Sequence, residues 1–237
     1  MTLTLRFAAE LRFFLAPRHR AGVVRLDHDD TASLGHIVQS LGVPLTEVGT
    51  LRIRGREVGA DHRPRPDDLI DVGVPALPQP LPVWPPRFVL DVHLGTLARR
   101  LRLVGVDTAY PDDFDDDTLI DLANAEQRVL LTRDRGLLFR RCLRMGAHVR
   151  AHAPDAQLTE ILERFNPPLQ PWTRCLACNG RLNGVAKAEV TDELMAGTRA
   201  TYDTFSRCTS CGQVYWPGAH HQRLQRIVER ARRAVAS

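Results

Sequence analysis

Residues 88–110 read FVLDVHLGTLARRLRLVGVDTAY. Phe88, Val89 and Leu90 form an apolar run with the length of a buried strand. From Leu94 the apolar residues recur at Leu97, Ala98 and Leu101, the spacing of one helix face, which predicts a helix over 94–103. A second strand is expected over 106–110. A strand, a helix and a strand in 23 residues make a βαβ unit, whose two strands are parallel with a right-handed crossover. The alternation continues with a helix over 116–126, a strand over 129–131 and a helix over 134–143. Segments 147–151 and 158–165 close the series. The expected fold class is α/β with a parallel sheet.

Upstream, residues 75–86 read PALPQPLPVWPP, with six prolines in twelve positions. Such a stretch favours extended polyproline II and behaves as a semi-rigid spacer. A weaker boundary lies at residues 166–171, NPPLQP. Three parts follow: 1–74, 87–165 and 172–237. The first part alternates Leu3, Leu5 and Phe7 with polar residues, as a half-buried strand does. A short apolar helix over 8–15 comes next, then a strand at Val23, Val24 and Leu26. Residues 33–41 place Leu34, Ile37, Val38 and Leu41 on one helix face. Segments 51–54 and 69–74 read as strands, with a turn at 55–58. The first part is a small mixed α+β unit.

Downstream, Cys175-x-x-Cys178 and Cys208-x-x-Cys211 form two pairs separated by 29 residues. Each pair presents two thiolates from one tight turn, and four thiolates complete the closed tetrahedral shell of structural zinc. The glycines in CNG and CGQ relieve crowding at such knuckles. The competing reading is a pair of disulfides or a redox CxxC. The N-terminus lacks the basic and apolar regions of a secretory leader, so a disulfide framework is not expected. A small ribbon has little core, and zinc would supply much of its folding energy. Cys142 stands alone in the 134–143 helix and reads as a small buried hydrophobe.

Composition sets outer limits. Hydrophobic residues make up 43% and charged residues 25%, which is ordinary for a globular chain. No apolar run reaches 18 residues, so a membrane-spanning helix is excluded. The formal charge is +4; of 32 basic residues only Lys187 is lysine. Arginine suits phosphate recognition. The bias runs along the whole chain, however, so a GC-rich coding sequence explains it equally well.

Acidic residues close two of the predicted strands: Asp91 follows 88–90, and Asp134 follows 129–132. In an open parallel sheet, ligands bind beyond the carboxyl ends of the strands. The run 112–117, DDFDDD, lies just before a helix and offers a third position. Clustered carboxylates repel one another unless a cation sits among them, and oxygen donors suit Mg²⁺ or Mn²⁺. Each aspartate also has a structural reading. Asp116 or Asp117 can be an N-cap, and Asp134 can cap the next helix. Asp91, at the end of an apolar strand, needs a partner of some kind.

The motifs in 88–108, 116–123 (DDTLIDLA) and 128–137 (RVLLTRDRGL) resemble the PIN-like ribonuclease family named after the C-terminal domain of the Mut-seven exonuclease. The stretch 208–220, CTSCGQVYWPGAH, is similar to the zinc-ribbon end of that family. The resemblance implies a PIN-like α/β fold and metal-dependent RNA cleavage. It carries the acidic site onto Asp91, Asp116 and Asp134, with Asp117 as the alternative to Asp116. The fourth acid common in PIN nucleases has no match here. The first part resembles the β-grasp, ubiquitin-like sulfur carriers found fused to this family. Those carriers act through a free C-terminal Gly-Gly. Here the corresponding end, Gly73-Val74-Pro75, runs on into the linker. Sulfur transfer is thereby excluded for the intact chain, and a protein-binding or self-associating module is expected.

Several basic and aromatic residues complete the reading. Arg99, Arg100, Arg102, Arg133 and Arg135 flank the predicted acids and can bind RNA phosphates; a solvated helix face accounts for them equally. Thr132 can orient an aspartate or a water. His93 fits a packing or surface role better than metal ligation; His220 and His221 can reach phosphate or metal, though with four cysteines zinc needs neither. Tyr215 and Trp216 can stack on bases or fill the ribbon core. A basic helix over 223–233 can dock on the protein or touch RNA. The expected function is a cytoplasmic, Mg²⁺- or Mn²⁺-dependent ribonuclease with a structural Zn²⁺ and RNA as partner. A non-catalytic RNA- or ribosome-binding protein is the rival. A toxin-like nuclease is disfavoured by the two added domains.

Overall fold

A computed structural model describes residues 2–27, 31–111 and 113–236. The chain divides into two compact units, residues 1–79 with 134–148 and residues 80–133 with 149–237.

The first unit is built on a five-stranded mixed sheet. Its strands are β1 (Thr2–Phe7), β2 (Val23–Asp27), β3 (Thr50–Ile53), β4 (Arg56–Glu57) and β5 (Leu69–Gly73), in the order β2-β1-β5-β3-β4. β1 runs parallel to β5 and antiparallel to β2. Leu3, Leu5 and Phe7 alternate inward from β1, as the period of a strand requires. They meet Ile70 and Val72 of β5, and Leu34, Ile37 and Val38 of helix α1 (Leu34–Ser40), in one core. The Ser33 hydroxyl caps α1 by accepting from the His36 N–H at 3.3 Å. A ubiquitin-like β-grasp domain is the result. The expected 8–15 helix is a single 3₁₀ stretch, Ala9–Phe13.

Residues 134–148 belong to this first unit, although the sequence places them amid the second. They hold a short helix, Arg135–Leu138, and a short strand, Gly146–His148. The buried Glu47 carboxylate accepts the His148 N–H at 2.8 Å. The His148 ring packs against Phe13 and Phe14 with centroids 5.5 and 5.3 Å away. The expected helix over 134–143 is thus cut to one turn. Leu143 is buried without being helical, and Cys142 is exposed in a turn, not buried in a helix as expected.

In the second unit, β6 (Phe88–Leu90), α2 (Gly95–Leu103), β7 (Thr108–Ala109), α3 (Asp116–Ala125) and β8 (Val129–Thr132) alternate along the chain. β6 lies between β7 and β8 and is parallel to both, with Phe88 opposite Thr108 on one side and Val129 on the other. All three residues of β6 are fully buried. Leu97, Ala98 and Leu101 of α2, Leu119, Ile120 and Ala123 of α3, and Leu158, Ile161, Leu162 and Phe165 of α4 (Pro154–Phe165) are the buried helix faces. The Phe88 and Phe165 rings meet edge to face at 5.3 Å. α4 begins on Pro154 and ends at a left-handed Asn166, before Pro167 and Pro168.

Beyond α4, β9 (Leu182–Val185), β10 (Phe205–Cys208) and β11 (Val214–Tyr215) form a small antiparallel sheet. Its core is only Val190, Leu194, Phe205 and Val214. Helix α5 (His221–Ala236) follows and buries Ile227, Val228 and Ala231. No helix of the described residues is long and apolar enough to cross a membrane.

Candidate metal centre and strand-end carboxylate

Two turns of the same shape hold the four cysteines. In the first, the Cys175 N–H donates to Gly180 O and the Asn179 N–H to Cys175 O. In the second, the Cys208 N–H donates to Gln213 O and the Gly212 N–H to Cys208 O. Each turn closes on a left-handed residue four positions after its first cysteine, Asn179 at φ 71° and Gly212 at φ 77°. Asparagine and glycine are the residues that tolerate this conformation. Gly180 is needed for a different reason. A Cβ there would stand 2.8 Å from Cys208 Sγ.

The turns bring Cys175, Cys178, Cys208 and Cys211 together with all four sulfurs within 4.8 Å of one another. Cys175 and Cys211 Sγ are 3.6 Å apart, and Cys178 and Cys208 Sγ 3.4 Å. A disulfide needs about 2.05 Å. A tetrahedron of thiolates at about 2.3 Å from zinc has edges of about 3.8 Å. The cluster therefore fits a tetrahedral metal and not a pair of disulfides. Burial pushes the Cys208 thiol up, but the Cys211 and Ser210 N–H groups more than reverse this and bring it to about 6. Cys178 lacks equal compensation, and burial pushes it up to about 12. Four thiolates at such distances need a cation among them, which Zn²⁺ would supply. Among the described residues, no other group of three or more His, Cys, Asp or Glu side chains is gathered this closely.

The surroundings of the cluster were not visible in the sequence. The Tyr215 hydroxyl lies 3.1 Å from Cys175 Sγ, so Tyr215 borders the metal cluster. Arg102 is 4% exposed and donates to Leu176 O, Ala177 O and Thr108 O, placing a cation behind the first knuckle. Asp107 accepts from Arg128 (2.7 Å), Arg174 (2.9 Å) and Asn179 (2.9 Å), tying the knuckle to the strand edge. Burial pushes the Asp107 carboxyl up, but these three donors hold it below its ordinary value.

Asp91 ends β6, the middle strand, and is 8% exposed. Its Oδ1 accepts the Val92 N–H at 2.6 Å, and its Oδ2 accepts the Thr132 hydroxyl at 2.8 Å. Thr132 ends β8 and is fully buried, so two neighbouring strand ends fix one carboxylate. Through its bond from the Val92 N–H, Asp91 caps the 3₁₀ turn Val92–Leu94, and other aspartates also cap helices. Asp115, not Asp116 or Asp117, caps α3 by accepting the Thr118 N–H at 2.8 Å. Asp116 is exposed in the first turn, and Asp112 lies outside the described residues. Asp134 belongs to the first unit, where it caps the short helix by accepting the Gly136 N–H at 2.7 Å.

Four of the five expected phosphate-binding arginines already have partners. Arg102 is buried behind the knuckle. Arg100 pairs with Asp155 at 2.7 Å. Arg135 lies over the Phe13 ring at 4.6 Å and donates to Phe13 O and Phe14 O. Arg99 is exposed, and Arg133 is exposed with a 2.9 Å hydrogen bond to His152 Nδ1.

A buried carboxylate at the end of a parallel strand and a four-cysteine ribbon define a metal-type α/β domain with a ubiquitin-like domain before it. The family model of the Mut7-C RNAse domain matches residues 86–228, and that of the Mut7-C ubiquitin domain matches residues 1–76. The chain belongs to the Mut7-C RNAse domain family. Neither a curated relative nor a solved structure matches it.

Proposed function

We propose that the chain is a metal-dependent ribonuclease that hydrolyses RNA phosphodiester bonds, with Asp91 at the centre of its site. The observation that carries this reading is the Asp91 carboxylate itself. It lies buried at the end of the middle parallel strand of an RNAse-family domain and is oriented by Thr132. A carboxylate offers about four acceptor positions, and the two hydrogen bonds that Asp91 accepts leave capacity for a cation. Mg²⁺ keeps several waters and takes one or two carboxylates together with substrate phosphates, so Asp91 fits as such a ligand. Asp116 and Asp134 are the further carboxylates that the family resemblance adds. A bound Mg²⁺ or Mn²⁺ would neutralise phosphate charge and acidify a water. Thr132 holds the Asp91 rotamer, and the exposed Arg99 and Arg133 are the arginines we assign to phosphate oxygens. The four thiolates suit a reducing compartment, which supports a cytoplasmic location. The β-grasp domain is read as the protein-binding or self-associating module.

The test is cleavage of labelled single-stranded RNA by the zinc-loaded chain with Mn²⁺, comparing wild type with Asp91→Asn, Asp116→Asn and Asp134→Asn. Asp91→Asn is expected to lower the rate by on the order of 100-fold or more. Equal rates would remove Asp91 from the site.

One observation favours a non-catalytic RNA-binding protein instead. Among the described residues no three carboxylates gather in one group. That reading predicts salt-sensitive RNA retention with no turnover at any Mn²⁺ concentration.

A further inference from the structure

Beside the ribbon lies a cavity of about 460 Å³, which shares Leu176 and Tyr215 with the surroundings of the cysteine cluster. Trp172 and Trp216 both line it and are 37% and 40% exposed. The His221 ring stacks on Trp172, with centroids 4.8 Å apart and planes at 28°. Trp172 holds φ at 66°, a conformation rare for a bulky side chain. It is fixed there by its N–H on Leu103 O. Gly218 leaves room for the Trp216 indole, since a Cβ at 218 would stand 3.0 Å from Nε1. The lining is mostly apolar, with the Thr204 and Ser206 hydroxyls among its polar groups.

The charge on the adjoining helix is mostly positive, with Glu229 among its arginines. Leu224 of α5 lines it. On the same helix, Arg223, Arg226, Arg230 and Arg233 recur at spacings of three and four, which places them on one face. Together with Arg100 they line a second hollow of about 380 Å³. Asp155 pairs with both Arg100 and Arg230. Arg223, Arg226 and Arg233 are exposed, and like charges at such spacings repel unless an anion lies across them. Aromatic walls beside a cationic stripe are the combination that single-stranded nucleic acid requires: bases stack on the rings while the backbone follows the charge. The volume falls within the range of sites that enclose a small ligand. A duplex keeps its base faces inside the stack and cannot offer one.

We infer that the Trp172–Trp216 cavity receives an unpaired RNA base while the arginine face of α5 carries the adjoining phosphates, so that the ribbon end selects single-stranded RNA. This inference rests on the RNA reading of the chain and names the form of RNA bound.

The experiment measures anisotropy of a labelled 12-nucleotide single-stranded RNA with the zinc-loaded full chain, without added Mg²⁺ or Mn²⁺. A duplex and an abasic strand of equal length serve as comparisons. Trp172→Leu and Trp216→Leu are each expected to weaken single-strand binding by between about 5-fold and 100-fold, the range of base stacking on one ring. Their affinity for the abasic strand should not change. Arg226→Gln should weaken both. In a Trp84→Phe background, indole emission should be quenched by the single strand and not by the abasic one. Zinc content and melting temperature report whether each variant is folded; if Trp172→Leu unfolds, Trp216→Leu and the quenching decide. Equal affinity for duplex and single strand, or unchanged affinity in both tryptophan variants, overturns the inference. If wild type binds no RNA, the RNA reading fails together with it. RNA bound through both tryptophans but never cleaved upholds the inference and removes the ribonuclease reading.

Discussion

Three side chains converge on Asp107, and two of them are guanidinium groups. Removing its charge would leave Arg128 and Arg174 facing each other partly desolvated. Breaking a fully buried pair costs about 3–5 kcal/mol. Asp107 keeps 23% of its side-chain surface, so Asp107→Asn is expected to cost less, about 2 kcal/mol at pH 7. The pH dependence has a definite sign. A carboxyl held below its ordinary value of 3.8 stabilises the fold above that pH and loses its contribution as pH falls through the depressed value. The stability gap between wild type and Asp107→Asn, measured by urea melts, should therefore narrow below about pH 4. A gap independent of pH would rule out the charge as its cause. Gly105 permits a sharper test. Its φ is 86°, and a Cβ there would collide with Gln170 O. Gly105→Ala is thus expected to cost at least the ~1 kcal/mol of a left-handed alanine, plus the clash. Arg102→Leu removes the cation behind the first knuckle and should weaken zinc binding by about 10- to 100-fold, as read by competition with a chelator.

At the scale of elements, the ribbon and the β-grasp sheet rest on different forces. The ribbon core is four buried side chains, whereas the β-grasp core has fourteen. So small a core does not hold three short strands without the metal. Chelation, or Cys208→Ser, should therefore abolish the protected amides of β9–β11 in hydrogen exchange and leave those of β1 and β5 protected. Loss of protection in β1 and β5 at the same rate would contradict this. The same contrast explains what was legible in the sequence. The CxxC pairs are local spacings and announce their chemistry. The periods of 94–103 and 116–126 are local too, and α2 and α3 lie where those periods put them. The helix expected over 134–143 was a misreading of Leu137, Leu138 and Leu143, which are buried by contacts with distant parts of the chain and not by a continuous helix face. Arg102 and Arg135 read equally as phosphate contacts or a solvated face, because Leu176 lies 74 positions from Arg102 and Phe14 lies 121 from Arg135. Asp107, Tyr215 and the Trp172 cavity left no local pattern at all.

For the whole molecule, the +4 charge says little until its arginines are sorted by what they touch. Arg6 pairs with Asp71, Arg128 and Arg174 with Asp107, and Arg100 and Arg230 with Asp155. Arg102 and Arg135 donate to backbone carbonyls. The near-absence of lysine fits this use, since a planar guanidinium satisfies several carbonyls and carboxylates at once. Among the exposed arginines outside these pairs are Arg223, Arg226 and Arg233 of α5, besides Arg99 and Arg133. Each phosphate neutralised on a single strand contributes about −0.7 to the slope of log K against log salt, so three contacts predict a slope of about −2. Arg226→Gln should make that slope shallower by about 0.7. Arg135→Gln serves as the opposite case, because Arg135 is held by Phe13 and Phe14. It should lower the stability of the first unit and leave the salt slope unchanged. Affinities for single-stranded RNA at four or five salt concentrations separate the two variants. If Arg135→Gln shifted the slope as much as Arg226→Gln, phosphate contact would not be confined to exposed arginines, and the division of these arginines by their structural partners would fail.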